Sequence, residues 1–399
     1  MKIIWITIES IYPPNTGGRI GIFRRLEQIA KNNDIYLFYT MDRENDRIYF
    51  DDLRKYCKEV HGFIREKRTL STVKNLLRAP FTVASRKNKK LIDAVNKCLS
   101  ENNIDLINVD SPHMGMNLQE INIYKTPVVI NQHNIEWMVY KNVSKATHGI
   151  MKKILYAMES TRFKKYEEKL YREVHVSLFT FVSKDDLDFF GEWIGNRDKL
   201  VLIPVGANSC PVDYDWNSKT NNIIFVGKMS YAPNEEAVKY FANTIFPTVK
   251  EKISDCRFIV VGKDPGAEIK KMEEKMDGVI VTGEVDDVGK YYNEADLVVI
   301  PLLHGGGVKV KLLEAMGYGV PIISSEIGIQ GTGFNDENMI IATNATEFVK
   351  KVLDFLQHRQ NYRNVYDNMR YTFEDAYTWE SIGKSYNTAL SRVIEKRNA

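Results

Sequence analysis

Pro301–Ser325 reads PLLHGGGVKVKLLEAMGYGVPIISS. The apolar run Leu297–Leu303 that leads into it predicts a buried parallel strand, and the triple glycine Gly305, Gly306 and Gly307 a turn. A helix is expected from about Val308 to Tyr318, and a second buried strand over Pro321–Ser325. Glycines at a strand-to-helix turn let a ligand come close to the backbone, and the first N–H groups of the new helix then point at it. Phosphate is the commonest guest of such a site. On an ideal helix Gly307, Lys311 and Glu314 share one face. A phosphate at the turn would meet one ammonium there and, roughly 10 Å along the same face at ~1.5 Å per residue, a carboxylate able to accept from a vicinal diol. A diphosphate joined to a ribose has that layout. Lys309 falls on the opposite side of such a helix and ranks below Lys311. The competing reading makes the glycines close-packing devices and Lys311 and Glu314 a solvated pair; the spacing of the charges favours a site.

The stretch resembles the nucleotide-sugar signature of family-four glycosyltransferases, in the branch written roughly GGGTRLKILEAMAxGxPVVST, against GGGVKVKLLEAMGYGVPIISS here. In the wider family two glutamates flank seven residues. Glu314 matches the second, which binds ribose, while Gly306 stands where the first would be, Val308 replaces the family Thr and Lys309 the family Arg. The resemblance implies an α/β GT-B fold: two facing Rossmann-like, doubly wound domains with an interdomain cleft, and a C-terminal helix that returns to the N-terminal domain. It also implies transfer of a sugar from a nucleotide diphosphate sugar to an acceptor hydroxyl, with retention at the anomeric carbon.

A chain of 399 residues suggests two domains, and 44% hydrophobic with 27% charged residues is ordinary for a soluble globular protein. A net charge of +3 is too slight to imply nucleic acid. Cys57, Cys98, Cys210 and Cys256 are scattered without metal-ligand spacing and read as reduced thiols. The opening MKIIWITIES reads as a first buried strand, since its apolar run stops at Glu9 and lacks a cleavage site. No run approaches the roughly 20 apolar residues of a membrane span. The expectation is a cytoplasmic enzyme, at most attached to the inner face of the cell membrane.

Along the chain, Lys2–Ile8 and Ile35–Tyr39 read as parallel strands flanking a helix over Ile20–Lys31. The absence of G-x-G-x-x-G argues against a dinucleotide dehydrogenase. Gly17 and Gly18 fall just before that helix; they form a plain tight turn or, as the resemblance implies, contact donor phosphate or acceptor, with Arg19 beside them. Residues 61–90 carry Arg65, Lys67, Arg68, Lys74, Arg78, Arg86, Lys87, Lys89 and Lys90 against the single acid Glu66, interleaved with Val73, Leu76, Leu77, Phe81 and Val83. Such a segment, and a second over Lys145–Arg172, is either a solvated face or a docking surface for anionic lipid or a phosphorylated acceptor. Strands over Ile104–Asp110 and Val128–Asn131 lead to NQHNIEW, which puts His133, Asn134 and Glu136 at the ligand edge of a parallel sheet. A lone histidine is most often structural. The resemblance to the family's HNxE assigns His133 to the donor-sugar pocket at the reacting centre, together with Glu314, and Glu136 to an acceptor contact.

A helix over Glu159–Glu173, a strand over Ser177–Val182 and a helix capped by Ser183 close the first domain. Residues 201–208 resemble the family's VIPNGVD, with Val205 in place of the polar Asn. The boundaries expected are 1–207 with 376–399 returning, and 208–375 for the nucleotide-sugar domain, joined by a linker near 206–221. In the second domain, strands are expected at 222–228, 257–262, 279–282, 297–303, 321–325 and 339–343. Lys228 matches the first member of a family basic pair that grips diphosphate, but Pro233 stands where the second would be, leaving Lys311 to supply it. Gly262, Lys263 and Asp264, with Gly283, Glu284 and Val285, end neighbouring strands, where related enzymes frame the nucleotide base.

The chemistry is one of charge: the anomeric carbon becomes cationic while the departing diphosphate gains negative charge, and N–H groups and lysines aimed at it favour the transition state. No cofactor and no metal are called for, the donor being substrate. Partners expected are the nucleotide sugar and a saccharide or lipid-linked acceptor of cell-surface glycan synthesis. The alternatives are a nucleotide-sugar epimerase of similar plan and a non-catalytic nucleotide-sugar-binding subunit.

Overall fold

The computed structural model describes residues 1–65, 75–147, 149–210, 214–218 and 220–398. Lys67, Arg68, Val73 and Lys74 of the basic segment, and positions 211–213 and 219 of the expected linker, lie outside the described residues. Two compact units result: Met1–Pro204 with Ile382–Ala399, and Val205–Ser381.

The N-terminal unit is built on seven strands, β1 (Lys2–Thr7), β2 (Asp34–Met41), β3 (Glu59–Ile64), β4 (Leu106–Asp110), β5 (Val128–Gln132), β6 (Val176–Phe181) and β7 (Leu200–Leu202). They run parallel in the order β3-β2-β1-β4-β5-β6-β7. Near-continuous apolar strands such as KIIWIT are what a sheet covered on both faces requires. Among its described residues the basic 61–90 segment does not form one amphipathic surface. Its start is β3, its Val83 is wholly buried, and Arg65 pairs with Asp42 at 3.1 Å. The first helix runs Gly17–Ala30, three residues earlier than expected, because Thr16 caps it by accepting from Arg19 N at 3.5 Å. Gly17 and Gly18 therefore form its first turn. The helix expected over Glu159–Glu173 is the second half of a longer one, Ile150–Glu173, that packs against Glu136–Ala146. Ser183 caps Lys184–Ile194, its hydroxyl accepting from Asp186 N at 3.3 Å.

The second unit holds β8 (Asn222–Val226), β9 (Arg257–Val261), β10 (Val279–Gly283), β11 (Leu297–Ile300), β12 (Ile322–Ser324) and β13 (Ile340–Ile341). All are parallel, in the order β10-β9-β8-β11-β12-β13. Each sheet thus grows outwards in both directions from its first strand, the doubly wound Rossmann arrangement. The chain's last helix, Trp379–Asn398, spans the boundary of the two units. Tyr386 on it donates to Asn108 of β4 at 2.6 Å and to Asn131 of β5 at 2.7 Å.

At the N-terminal edge of the second sheet a buried ion pair ties three segments together. Arg359 donates to Asp296 at 2.6 Å and to the Thr220 carbonyl at 2.5 Å. The other Asp296 oxygen accepts from Asn222 N at 2.8 Å and from the Thr220 hydroxyl at 2.7 Å. Replacing Arg359 by Met strips a buried carboxylate of its counter-charge and is expected to cost about 3–5 kcal/mol. Urea unfolding of the full chain measures this, and a loss below about 1 kcal/mol, the range of exposed pairs, would contradict the role given to the pair.

Candidate functional site

In the second sheet the strand order reverses between β8 and β11, so the connections after them leave towards opposite faces and open a crevice at the strands' C-terminal ends. A pocket of about 330 Å³ lies there, lined among others by Gly227, Lys228, Asn234, Gly306, Lys311 and Glu314. After β11 the chain passes Gly305 at φ +139° and Gly307 at φ +67°, conformations that suit glycine. The helix begins at Val310, not Val308. Lys309 is its N-cap residue and sends its amine back to the Gly307 carbonyl at 2.5 Å, so it has no helical face at all. Gly307 also stands outside the helix, and only Lys311 and Glu314 share its polar side.

Leu312, Leu313, Ala315 and Met316 face the core, which commits Lys311 and Glu314 to the crevice. Among the described residues no side chain caps the helix start; Leu312 N is bonded to the Lys309 carbonyl at 2.9 Å, which leaves the N–H groups of Val310 and Lys311 for a ligand. At the other end Gly319 turns left-handed at φ +70°, and Val320 N donates to the Ala315 carbonyl at 3.2 Å, closing the helix in a Schellman arrangement.

Lys311 is held more tightly than the sequence suggests. Its ammonium donates to Asn234 Oδ1 at 2.5 Å and sits 4.1 Å from the centroid of the Phe225 ring. Asn234 in turn donates from Nδ2 to the Lys228 carbonyl at 2.8 Å. Burial brings the Lys311 ammonium down to about 7, against the pull of Glu314. The Glu314 carboxyl, at the open rim, is moved up by partial loss of water and held back by Lys311. Lys228 lies at the mouth, 3.7 Å from Asp264. Asn234 escaped the sequence reading because only tertiary packing brings it to Lys311. Its one signal was a polar residue beside Pro233, the position where a basic partner of Lys228 was sought.

Gly262 serves as a close-packing residue: a Cβ there would lie 1.9 Å from the Gly227 carbonyl oxygen. The turns after β9 and β10 are joined by Gly262 N to the Gly283 carbonyl at 3.1 Å, with Lys263 3.9 Å from Glu284. These residues and Val285 border the strand ends and do not line the 330 Å³ pocket.

The first sheet reverses between β1 and β4, and a buried charge cluster marks that point. Asp110, at the end of β4, accepts from the Trp5 indole and from Asn131 at 2.8 Å, with Arg25 at 3.8 Å and His133 at 3.4 Å. Burial opposes its charge, but the His133 hydrogen bond and the Arg25 guanidinium prevail and hold the carboxyl below its usual range. His133 is lowered, first by burial and further by Arg25, with Asp110 opposing. Asp110 and Arg25 were not singled out from sequence. Glu136 does not join them: it lies 3.9 Å from His113, and burial pushes its carboxyl up to about 7. Arg19 pairs with Glu9 at 2.6 Å at the start of the first helix.

Residues 220–358 match the family model described as Glycosyl transferases group 1. That span contains the whole 330 Å³ pocket. A 44.6 kDa protein of the cps region of Klebsiella pneumoniae is 27% identical over 397 residues, covering 96% of this chain and 98% of the relative. Among solved structures, Anabaena HepE in complex with UDP aligns with a TM-score of 0.64 at 13% identity, over 98% of this chain and all of that one. WaaG, a glycosyltransferase involved in lipopolysaccharide biosynthesis, aligns at 0.60 and 12% identity, over 98% and 99% of the two chains. The two-unit architecture is that of GT-B glycosyltransferases.

The geometry makes Lys311 a group that titrates near neutrality. Its side chain, followed by NMR and assigned through a Lys311→Arg variant, should show a midpoint near 7. Glu314→Ala should lower that midpoint further by removing the supporting charge. A midpoint near the usual lysine value of about 10.4 would mean that the ammonium is not buried.

Proposed function

We propose that the chain is a retaining glycosyltransferase of the family-four type, moving a sugar from a nucleoside diphosphate sugar to an acceptor hydroxyl in cell-surface glycan synthesis. The observation that carries this reading is the crevice at the β8/β11 reversal, where an uncapped helix start, Lys311 and Glu314 meet the spacing of a diphosphate and a ribose. The group 1 domain match covers that same crevice. The name of the Klebsiella relative places it in a cps region, and WaaG is named for lipopolysaccharide biosynthesis. Both point to surface glycans.

In this mechanism the helix N–H groups and Lys311 hold the diphosphate, Lys228 closes over it, and Glu314 accepts from the ribose hydroxyls. The bond from the anomeric carbon to the diphosphate oxygen breaks as the acceptor oxygen bonds to the same face. The acceptor's proton passes to the departing phosphate oxygen. Charge gathered on the diphosphate is met by donors already in place, so stabilisation grows towards the transition state. His133, oriented by Asp110 and Arg25, is assigned to the donor sugar, and Gly17 and Gly18 to the diphosphate or acceptor. The turns at 262–264 and 283–285 are assigned to the base.

UDP is the first nucleotide to test, since the HepE structure holds it. In a thermal-shift screen with UDP, GDP, ADP and dTDP, one nucleotide should stabilise the wild type and shift Lys311→Ala and Glu314→Ala less. Equal shifts in all three proteins would remove the assignment. Release of nucleoside diphosphate only when acceptor is present separates transfer from epimerisation or mere binding. Binding should also depend on pH. A bound diphosphate favours the charged ammonium, so above about 7, where free Lys311 has lost its proton, each bound nucleotide must take one up. Affinity is therefore expected to fall as pH rises beyond that value, by at most about tenfold per pH unit, and to stay flat in Lys311→Met.

A further inference from the structure

The first turns of the Ile150–Glu173 helix carry an unusual surface. Ile150, Met151, Ile154, Leu155 and Met158 are each between 51% and 79% exposed. At about 100° per residue these five fall within an arc of roughly 140°, over a length of about 12 Å. Lys153 and Lys152 lie about 60° beyond the two edges of that arc and both are exposed. The stripe is thus apolar along its crest and cationic on both flanks. A soluble helix normally turns such a stripe inwards; here the buried residues of the helix begin only at Ser160.

Neighbouring segments extend the same surface. Arg162 donates to the Leu76 and Ala79 carbonyls, and Glu159 accepts from Phe81 N at 2.9 Å. These bonds hold the 76–81 segment beside the Met158 turn, where Leu77 is 87% exposed and Phe81 44%. Val139 and Val143 of the packed partner helix are also exposed. From Trp137 to Met158 the sequence contains Lys141, Lys145, Lys152 and Lys153 and no aspartate or glutamate. The next acid, Glu159, is turned inwards and neutralised by Arg162 at 2.6 Å.

Two properties select the occupant. The surface is a convex helical ridge, which a deformable medium can receive without a matching groove. Its charge is of one sign, so a second copy of the chain would set lysine against lysine, whereas an anionic surface satisfies both flanks. We propose that this ridge docks the chain on anionic phospholipid, with the apolar crest among the upper acyl chains and the lysines at the phosphates. A helix with an apolar crest and lysine flanks lies in the interface plane and buries that crest by roughly 5–10 Å. The docking is separate from the nucleotide crevice, and no step of it requires a donor.

Flotation of the full chain with vesicles, without nucleotide, tests it independently of the transferase reading. Vesicles of phosphatidylcholine alone are compared with vesicles containing about a third phosphatidylglycerol, where partition should be at least about tenfold greater and should weaken with added salt. Ile154→Asp with Leu155→Asp should abolish partition, and Lys152→Glu with Lys153→Glu should abolish the preference for anionic vesicles. All four side chains are exposed, so thermal unfolding of each variant should match the wild type and shows that the fold is kept. Equal partition onto both vesicle types, no partition, or wild-type partition of the Ile154→Asp/Leu155→Asp protein would overturn the proposal. A concentration-dependent dimer that the same double substitution dissociates would assign the ridge to a second copy instead, and would overturn it too.

Discussion

The reversal of strand order between β8 and β11 is the constraint on which the functional site depends. Where neighbouring parallel strands send their connections to opposite faces, the turns above them cannot pack on each other, and a crevice remains. One wall is the Gly227 turn and the other the Gly305–Lys309 turn. Every polar group in the pocket is positioned by that geometry. Lys311 reaches across the crevice to Asn234, on the helix following β8, and Asn234 ties the amine back to the Lys228 carbonyl. The glycine at 227 keeps the passage open: a Cβ there would stand 2.7 Å from Asn234 Nδ2 and 3.0 Å from the Lys311 amine. Gly262 then seats the neighbouring turn directly on Gly227.

The same reversal in the first sheet has a different consequence. Between β1 and β4 the space is filled by a charge cluster, with Asp110 at its centre and Arg25 and Trp5 around it. Arg25 is 2% exposed, and its Nη1 has no hydrogen-bond partner among the described residues. Breaking such a cluster by removing one member leaves an uncompensated buried charge. His133 is therefore held from behind by Asp110 and Arg25, and burial lowers its imidazole below the usual histidine range. Burial favours the neutral ring, which can both donate and accept; on the reading proposed above, that suits a polyhydroxylated ligand better than a cation would.

How much of this could be read in advance follows from the range of the interactions. The GGG turn, the amphipathic LLEAM stretch and the apolar strands on either side are local signals, and they placed the strand–turn–helix unit and its charged face. The helix start was misjudged by two residues because nothing local marks Val308 and Lys309 as lying outside it, while Lys309 takes an extended backbone after the left-handed Gly307. Partners separated by long stretches of chain left no local trace: Asn234 with Lys311, Arg25 with Asp110, Arg359 with Asp296. β3 was hidden for another reason. Its sequence, EVHGFI, places a glutamate, a histidine and a glycine among few apolar residues, as an edge strand tolerates.

A lysine, rather than an arginine, at position 311 is what makes the crevice responsive. A guanidinium would remain charged in any surroundings and would have to be fully hydrogen-bonded in the empty pocket. The amine has a cheaper resting state, because burial against Asn234 and the Phe225 ring favours loss of its proton. On the proposed reading, an arriving diphosphate would restore the charge at the place where it is useful. The cost of burying a cation is then largely deferred until an anion is present to offset it. Glu314, further along the same helix, biases the amine towards its charged form without neutralising it through a direct ion pair. On that reading Lys311 would gain positive charge as the crevice fills. Such an asymmetry between empty and occupied states would favour the proposed donor, since each increment of charge on its departing diphosphate would strengthen the hold on the Lys311 proton.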